Sequence, residues 1–159
     1  MKRYASIAAL IAATTASAAL GQTAVEEVDV TADVTVIENI EAAQAWSGVE
    51  ADLETAIAER LVGQLEERGA RILIDLDTLS LANSFEQSVG IGEHELSGDV
   101  TIRVPGIANN ENYTLTVSAE QATAFFPEDM TFDTVAVDSD LFYRAMVDAF
   151  AENVVGKVQ

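Results

Sequence analysis

Leu96–Val104 reads LSGDVTIRV, and that stretch decides how the chain folds. Leu96, Val100, Ile102 and Val104 fall on one side of an extended backbone, and Ser97, Asp99, Thr101 and Arg103 fall on the other, because successive side chains in a strand alternate. One side calls for a core and the other for water, the pattern of a half-buried strand. A sheet made of such strands has one face to cover, and the remainder of the chain must supply the cover.

The neighbouring segments agree. Tyr113, Leu115, Val117 and Ala119 alternate with Thr114, Thr116 and Ser118, which predicts a fourth strand. Pro105-Gly106 and Asn109-Asn110 break the chain between, so strands three and four form an antiparallel pair across a loop of about eight residues. Upstream, Val28, Val30, Ala32, Val34 and Val36 alternate with Asp29, Thr31, Asp33 and Thr35, giving strand one. Strand two runs from Arg71 to about Phe85, with Ile72, Ile74 and Leu76 inward. Its apolar phase shifts to Leu79 and Leu81, which predicts a bulge near Asp77-Thr78. Ser88 to Glu95 reads as a loop.

Between strands one and two the period changes. Val49, Leu53, Ile57, Leu61 and Leu65 recur every fourth residue, joined by Trp46 and Val62. Residues 46–68 therefore read as a long amphipathic helix. Ser47 and Glu50 are spaced for a capping box, and Gly69 for a left-handed helix end. A last helix starts at Ser139 or Asp140, carries Phe142, Met146 and Phe150 on one stripe, and fades near Gly156. Phe132 to Val137 has the makings of a short extra strand. The fold class expected is α+β: a two-layer sandwich in β-α-β-β-β-α order, with a mostly antiparallel sheet and two helices on one face.

Met1-Lys2-Arg3 precedes an uncharged run from Ile7 to Leu20 and then small residues. That order is a secretory signal peptide, and the run is shorter than the about 20 apolar residues a membrane span needs. The small-x-small rule allows a cut after Gly21 or after Ala18. Residues 1–21 are thus expected to be signal peptide, and 22–159 one soluble, exported domain without a stable membrane anchor. The chain has no cysteine, which excludes a disulfide framework, a thiolate metal site and a cysteine nucleophile.

The formal charge is −19, and near −21 once Lys2 and Arg3 leave, with 6 Lys+Arg against 27 Asp+Glu. Such a balance argues against nucleic acid and anionic lipid, both of which need basic surfaces. It also keeps the chain soluble, and leaves room for a basic partner or divalent cations.

Recognisable chemistry is scarce. His94, the one histidine, sits between Glu93 and Glu95, which point away from it in an extended segment; it reads as a loop histidine. There is no Gly-x-Ser-x-Gly elbow, no phosphate-cradling loop and no dinucleotide fingerprint. The best carboxylate pair is Asp75 and Asp77, with Asp99 and Arg103 as neighbours if strand three lies beside strand two. Phe125, Phe126 and Phe142 read first as core packing and second as a ligand pocket. No residue is assigned a catalytic, cofactor-binding or metal-binding role, and no cofactor is expected.

The order of elements from residue 26 to 156, behind a signal peptide, resembles the small bacterial envelope-lipoprotein fold. Lipopolysaccharide-assembly, YajG-type and transport-auxiliary lipoproteins share it. The resemblance implies two helices packed on one sheet, the first of them following strand one. Gln22 stands where those proteins carry a lipidated cysteine, so it implies no lipid anchor here. The expected function is a non-enzymatic periplasmic accessory protein that binds another envelope protein through its polar sheet face or a sheet edge. The alternative is a periplasmic small-ligand or divalent-cation-binding protein.

Overall fold

The computed structural model describes residues 23–38, 40–77, 80, 94–106, 110–131, 133–136 and 138–159. The expected signal peptide and its expected cut sites, Thr78, Leu79, Leu81, most of the Ser88–Glu95 segment, Phe132 and Val137 lie outside those residues.

Four strands form one sheet in the order in which they occur: β1 (Val25–Thr31), β2 (Ala70–Leu76), β3 (Glu95–Arg103) and β4 (Glu111–Ser118). β1 and β2 are parallel, whereas β2–β3 and β3–β4 are antiparallel. Two main helices, α2 (Val49–Arg60) and α4 (Asp140–Val155), lie together over one face, as the one-sided strands require. Short helices α1 (Ile40–Ala45) and α3 (Ala119–Ala122) accompany them. The two-layer α+β sandwich and its mostly antiparallel sheet are therefore as expected.

Alternation places the core. Ile72, Ile74 and Leu76 of β2, Leu96, Val100 and Ile102 of β3, and Val117 of β4 are buried on one face. Against them pack Leu53 and Ile57 of α2, and Phe142, Met146 and Phe150 of α4. Each such side chain contributes about 1.5–3 kcal/mol by leaving water. Ser139 caps α4 as expected, its hydroxyl accepting from the Phe142 amide at 3.2 Å.

Four local expectations are corrected. The first is the long helix. Its four-residue period continues to Leu65, yet α2 stops at Arg60, because β1 captures the following backbone. The Val25 amide donates to the Gln64 carbonyl at 2.8 Å, and the Glu66 amide donates to the Val25 carbonyl at 3.0 Å. Gly63, a weak helix former, lies within that turn.

The second is the caps. The Ser47 hydroxyl turns back to the Gln44 carbonyl, and Gly48 stands at the helix start with no side-chain cap. Gly69 lies well past the helix end, where Ala24 crosses it. A Cβ there would be 2.6 Å from the Ala24 carbonyl carbon and oxygen, so the position admits only hydrogen.

The third is strand one. Asp33 accepts from the Thr35 amide and winds Val34–Val36 into a 3₁₀ turn, leaving Val36 exposed. The fourth is the extra strand. Thr134 and Val135 amides both return to the Thr131 carbonyl, so 133–136 is a turn. α3 was hidden within the fourth-strand pattern. It begins with a Ser118/Gln121 capping box.

Candidate partner-binding surface

The second face of the sheet is polar apart from Leu73. Register aligns Thr31, Asp75, Asp99 and Thr114 in one row across all four strands. Asp29, Leu73, Thr101 and Asn112 form the next. Side chains bond along these rows: Thr114 Oγ1 donates to Asp99 Oδ1 at 2.6 Å, and Thr101 Oγ1 to Asn112 Oδ1 at 2.8 Å. Ser97 Oγ and Thr116 Oγ1 are 2.9 Å apart in a third row. These short cross-strand bonds hold the surface groups in fixed positions. No described helix lies over them.

Charge is segregated along this face. Asp75 and Asp99 are directly opposed across β2 and β3, an arrangement that destabilises a ladder. With Asp77, Ser97 and Thr114 they border a shallow cleft of about 290 Å³. At the other end Arg71 opposes Arg103, about 13 Å away at strand spacing. Glu26 and Glu27 pair with Arg71 at 3.3 and 3.2 Å. The expectation that Asp99 and Arg103 flank the Asp75/Asp77 pair is thus half met: Asp99 is there, and Arg103 sits at the far end.

The two sheet edges differ. Along β1 the Val30 amide donates to Glu54 Oε1 at 3.1 Å and the Ala32 amide to Glu50 Oε1 at 2.7 Å. With the 64–66 backbone and a register irregularity between Val25 and Glu27, that edge is plugged. β4 pairs with β3 over its whole length without a bulge. The Asp77–Ser97 and Ala119–His94 bonds set the ladder parity, which turns the amides of Asn112, Thr114 and Thr116 outward. Among the described residues none of these amides has a partner, and all three residues are exposed. At Ser118 the outward amide is taken by Gln121 Oε1.

Elsewhere, a groove of about 520 Å³ runs between α2 and α4, with Asp52, Glu59, Asp140 and Asp148 around Arg144. Tyr143 donates to Asp52 Oδ2 there at 2.6 Å. Burial first, then that bond and the Asp52 charge, push the Tyr143 phenol well above its usual range. Arg60 joins the two helices, bonded to Asp148 at 2.8 Å and Glu152 at 3.2 Å.

His94 is corrected from loop to core. It is 1 % exposed, its ring meets Phe142 edge-on at 5.9 Å, and neither nitrogen has a hydrogen-bond partner among the described residues. Phe142 is likewise buried in the core. Phe125 borders a separate cleft with Pro127 and Leu141, so the three phenylalanines do not line one pocket. Among the described residues no group of three or more acidic or histidine side chains is placed to hold a metal ion. None of the described helices is long and apolar enough to cross a membrane.

No protein-family model matches the chain, and no curated protein matches it by sequence. One solved structure, described as "Crystal structure of uncharacterized protein", is similar over 87 % of this chain and 93 % of its own, at 9 % identity and a TM-score of 0.42. A likeness at that level carries no argument about function.

Proposed function

We propose that this chain is a non-enzymatic accessory protein of the bacterial cell envelope. In this reading it is exported through residues 1–21 and works in the periplasm, where it binds another envelope protein through its polar sheet face. The observation that supports the reading is the face itself: four strands wide, uncovered by any described helix, and fixed by side-chain bonds at 2.6 to 2.9 Å. An array fixed in this way loses little side-chain entropy on binding. The opposed Asp75 and Asp99 favour a partner that brings Lys or Arg to that end.

The test is affinity purification of the tagged chain from envelope extracts, comparing wild type with Asp75→Lys/Asp99→Lys. One partner recovered in near-equal amount with wild type and lost with the double variant is expected. A partner retained equally by both would overturn the assignment to this face. A divalent-cation reading has the cleft bordered by Asp75, Asp77 and Asp99 in its favour and against it the spread of those three carboxylates, which are not grouped to hold one ion. Unchanged thermal stability in millimolar Ca²⁺ and in EDTA would dispose of it.

A further inference from the structure

We infer that β4 is a self-pairing edge, on which a second copy of this chain docks antiparallel about a two-fold axis at Thr114. The inference rests on the interaction reading above, and extends the polar face across two copies.

The argument starts from charge. The chain has 27 acidic residues, yet Asn112 to Ala119 carries no charge between Glu111 and Glu120. Natural sheet edges are kept apart by charges, prolines, bulges or covering segments. β1 uses a register irregularity and the Glu50 and Glu54 carboxylates; among the described residues β4 carries no charge, proline, bulge or covering segment along the backbone edge of 112–117, and Lys157 meets only the core-facing Tyr113 ring, at 5.2 Å. A neutral strip on so acidic a molecule is most complementary to another neutral strip, and its own copy provides one.

The register follows from ladder parity. Outward amides and carbonyls belong to Asn112, Thr114 and Thr116. An axis at Thr114 pairs Asn112 with Thr116 of the second copy and Thr114 with itself, closing about six backbone hydrogen bonds. Axes one residue to either side close about four. On the core-facing side this register sets half-buried Tyr113 against half-buried Leu115, an aromatic–aliphatic cross-strand pair. The interface is isologous and closes at two copies, with both plugged β1 edges outermost. Long-range repulsion between two strongly negative copies opposes it, so salt strengthens it.

The experiment uses residues 22–159, which contain no cysteine. A directly opposed pair on an antiparallel ladder has its Cα atoms about 5.5 Å apart, within disulfide reach. Thr114→Cys is expected to oxidise to a covalent dimer, while Thr101→Cys, one strand inward, stays monomeric. By sedimentation, wild-type dimer affinity is expected to rise at least tenfold between about 20 and about 500 mM salt. Thr114→Pro removes an outward amide and the Thr114–Asp99 side-chain bond but no backbone bond between β3 and β4, so it keeps the ladder and loses the dimer; Thr116→Asp, which puts charge into the neutral strip, also gives a monomer. A wild-type monomer at every salt concentration, equal cross-linking of both cysteine variants, or a dimer indifferent to Thr116→Asp would overturn the inference. A monomer that still recovers an envelope partner overturns self-pairing alone. A dimer that recovers none overturns the accessory reading alone.

Discussion

Gly69→Ala separates two physical roles for one glycine. If Gly69 ended a helix in the left-handed conformation, alanine would cost about 1 kcal/mol, and asparagine would recover part of it. The structure gives it a different role. The only described residue with positive φ is Gly106, and Gly69 is instead crossed by the start of β1. A Cβ on Gly69 would lie 2.6 Å from the Ala24 carbonyl atoms, where ordinary contact begins at 3.4 Å. β1 must then retreat by 0.8 Å (3.4 − 2.6). The Ala70 amide to Ala24 carbonyl bond, 2.7 Å long, lies in the path of that shift. Losing it costs about 1 kcal/mol, and crowding adds about 1–3 kcal/mol, for a total of about 2–4 kcal/mol. Asparagine is larger and does no better than alanine. Urea unfolding followed by the fluorescence of the single, buried Trp46 reads this directly; the midpoint should fall by roughly 1–2 M. A loss under about 1 kcal/mol, or an asparagine variant more stable than alanine, would refute the close-approach argument.

Three further outcomes are expected. Residues 22–159 contain only two tyrosines. Burial, and then the Glu111 charge, push Tyr113 up from 10.0 to about 12, and Tyr143 is raised as well. A raised phenol pKa contributes stability that is complete below pH 10 and is lost as the pH rises through the folded value. The 295 nm absorbance should therefore stay flat past pH 10 while urea stability declines above it; a native tyrosine titrating near 10 would contradict this. Arg60→Ala breaks the Asp148 and Glu152 pairs between α2 and α4 and should cost about 1–2 kcal/mol, less in high salt; an undiminished loss at high salt would assign the effect to packing. His94→Leu replaces a buried imidazole whose nitrogens have no hydrogen-bond partner among the described residues and should stabilise by about 1 kcal/mol, measured by the same unfolding assay. A clear destabilisation would mean that the ring's contact with Phe142 outweighs the unmet hydrogen bonds.

Elements whose pattern serves one purpose were legible in the sequence. Ile72, Ile74 and Leu76, and Leu96, Val100 and Ile102, alternate because one sheet face is wet, and that alternation gave strands, face and layer count together. Where two structures competed for the same backbone, the sequence misled. Leu61 and Leu65 keep helical spacing, but Val25 pairs with Leu65 as a β-bridge, a tertiary contact no local period contains. Glu50 is spaced for a capping box and is used 18 residues away on the Ala32 amide. His94 resembles a loop residue because its neighbours are acidic, yet the strand that follows carries it into the core. The polar face was visible as a set of outward residues. Its registry, which opposes Asp75 to Asp99 and sends Arg103 to the other end, depends on strand pairing and could be read only from the structure. The contrast between the plugged β1 edge and the open β4 edge had no signal beyond the uncharged run from Asn112 to Ala119.

The most direct measurement places a photo-activated cross-linking residue at Thr101, on the polar face, or at Glu59, in the groove between α2 and α4, and reads the products in intact cells by mass spectrometry. If the sheet face is the partner surface, the Thr101 probe captures one envelope protein and the Glu59 probe does not. Capture from Glu59 and none from Thr101 would contradict the account and move the partner to the helical side of the molecule.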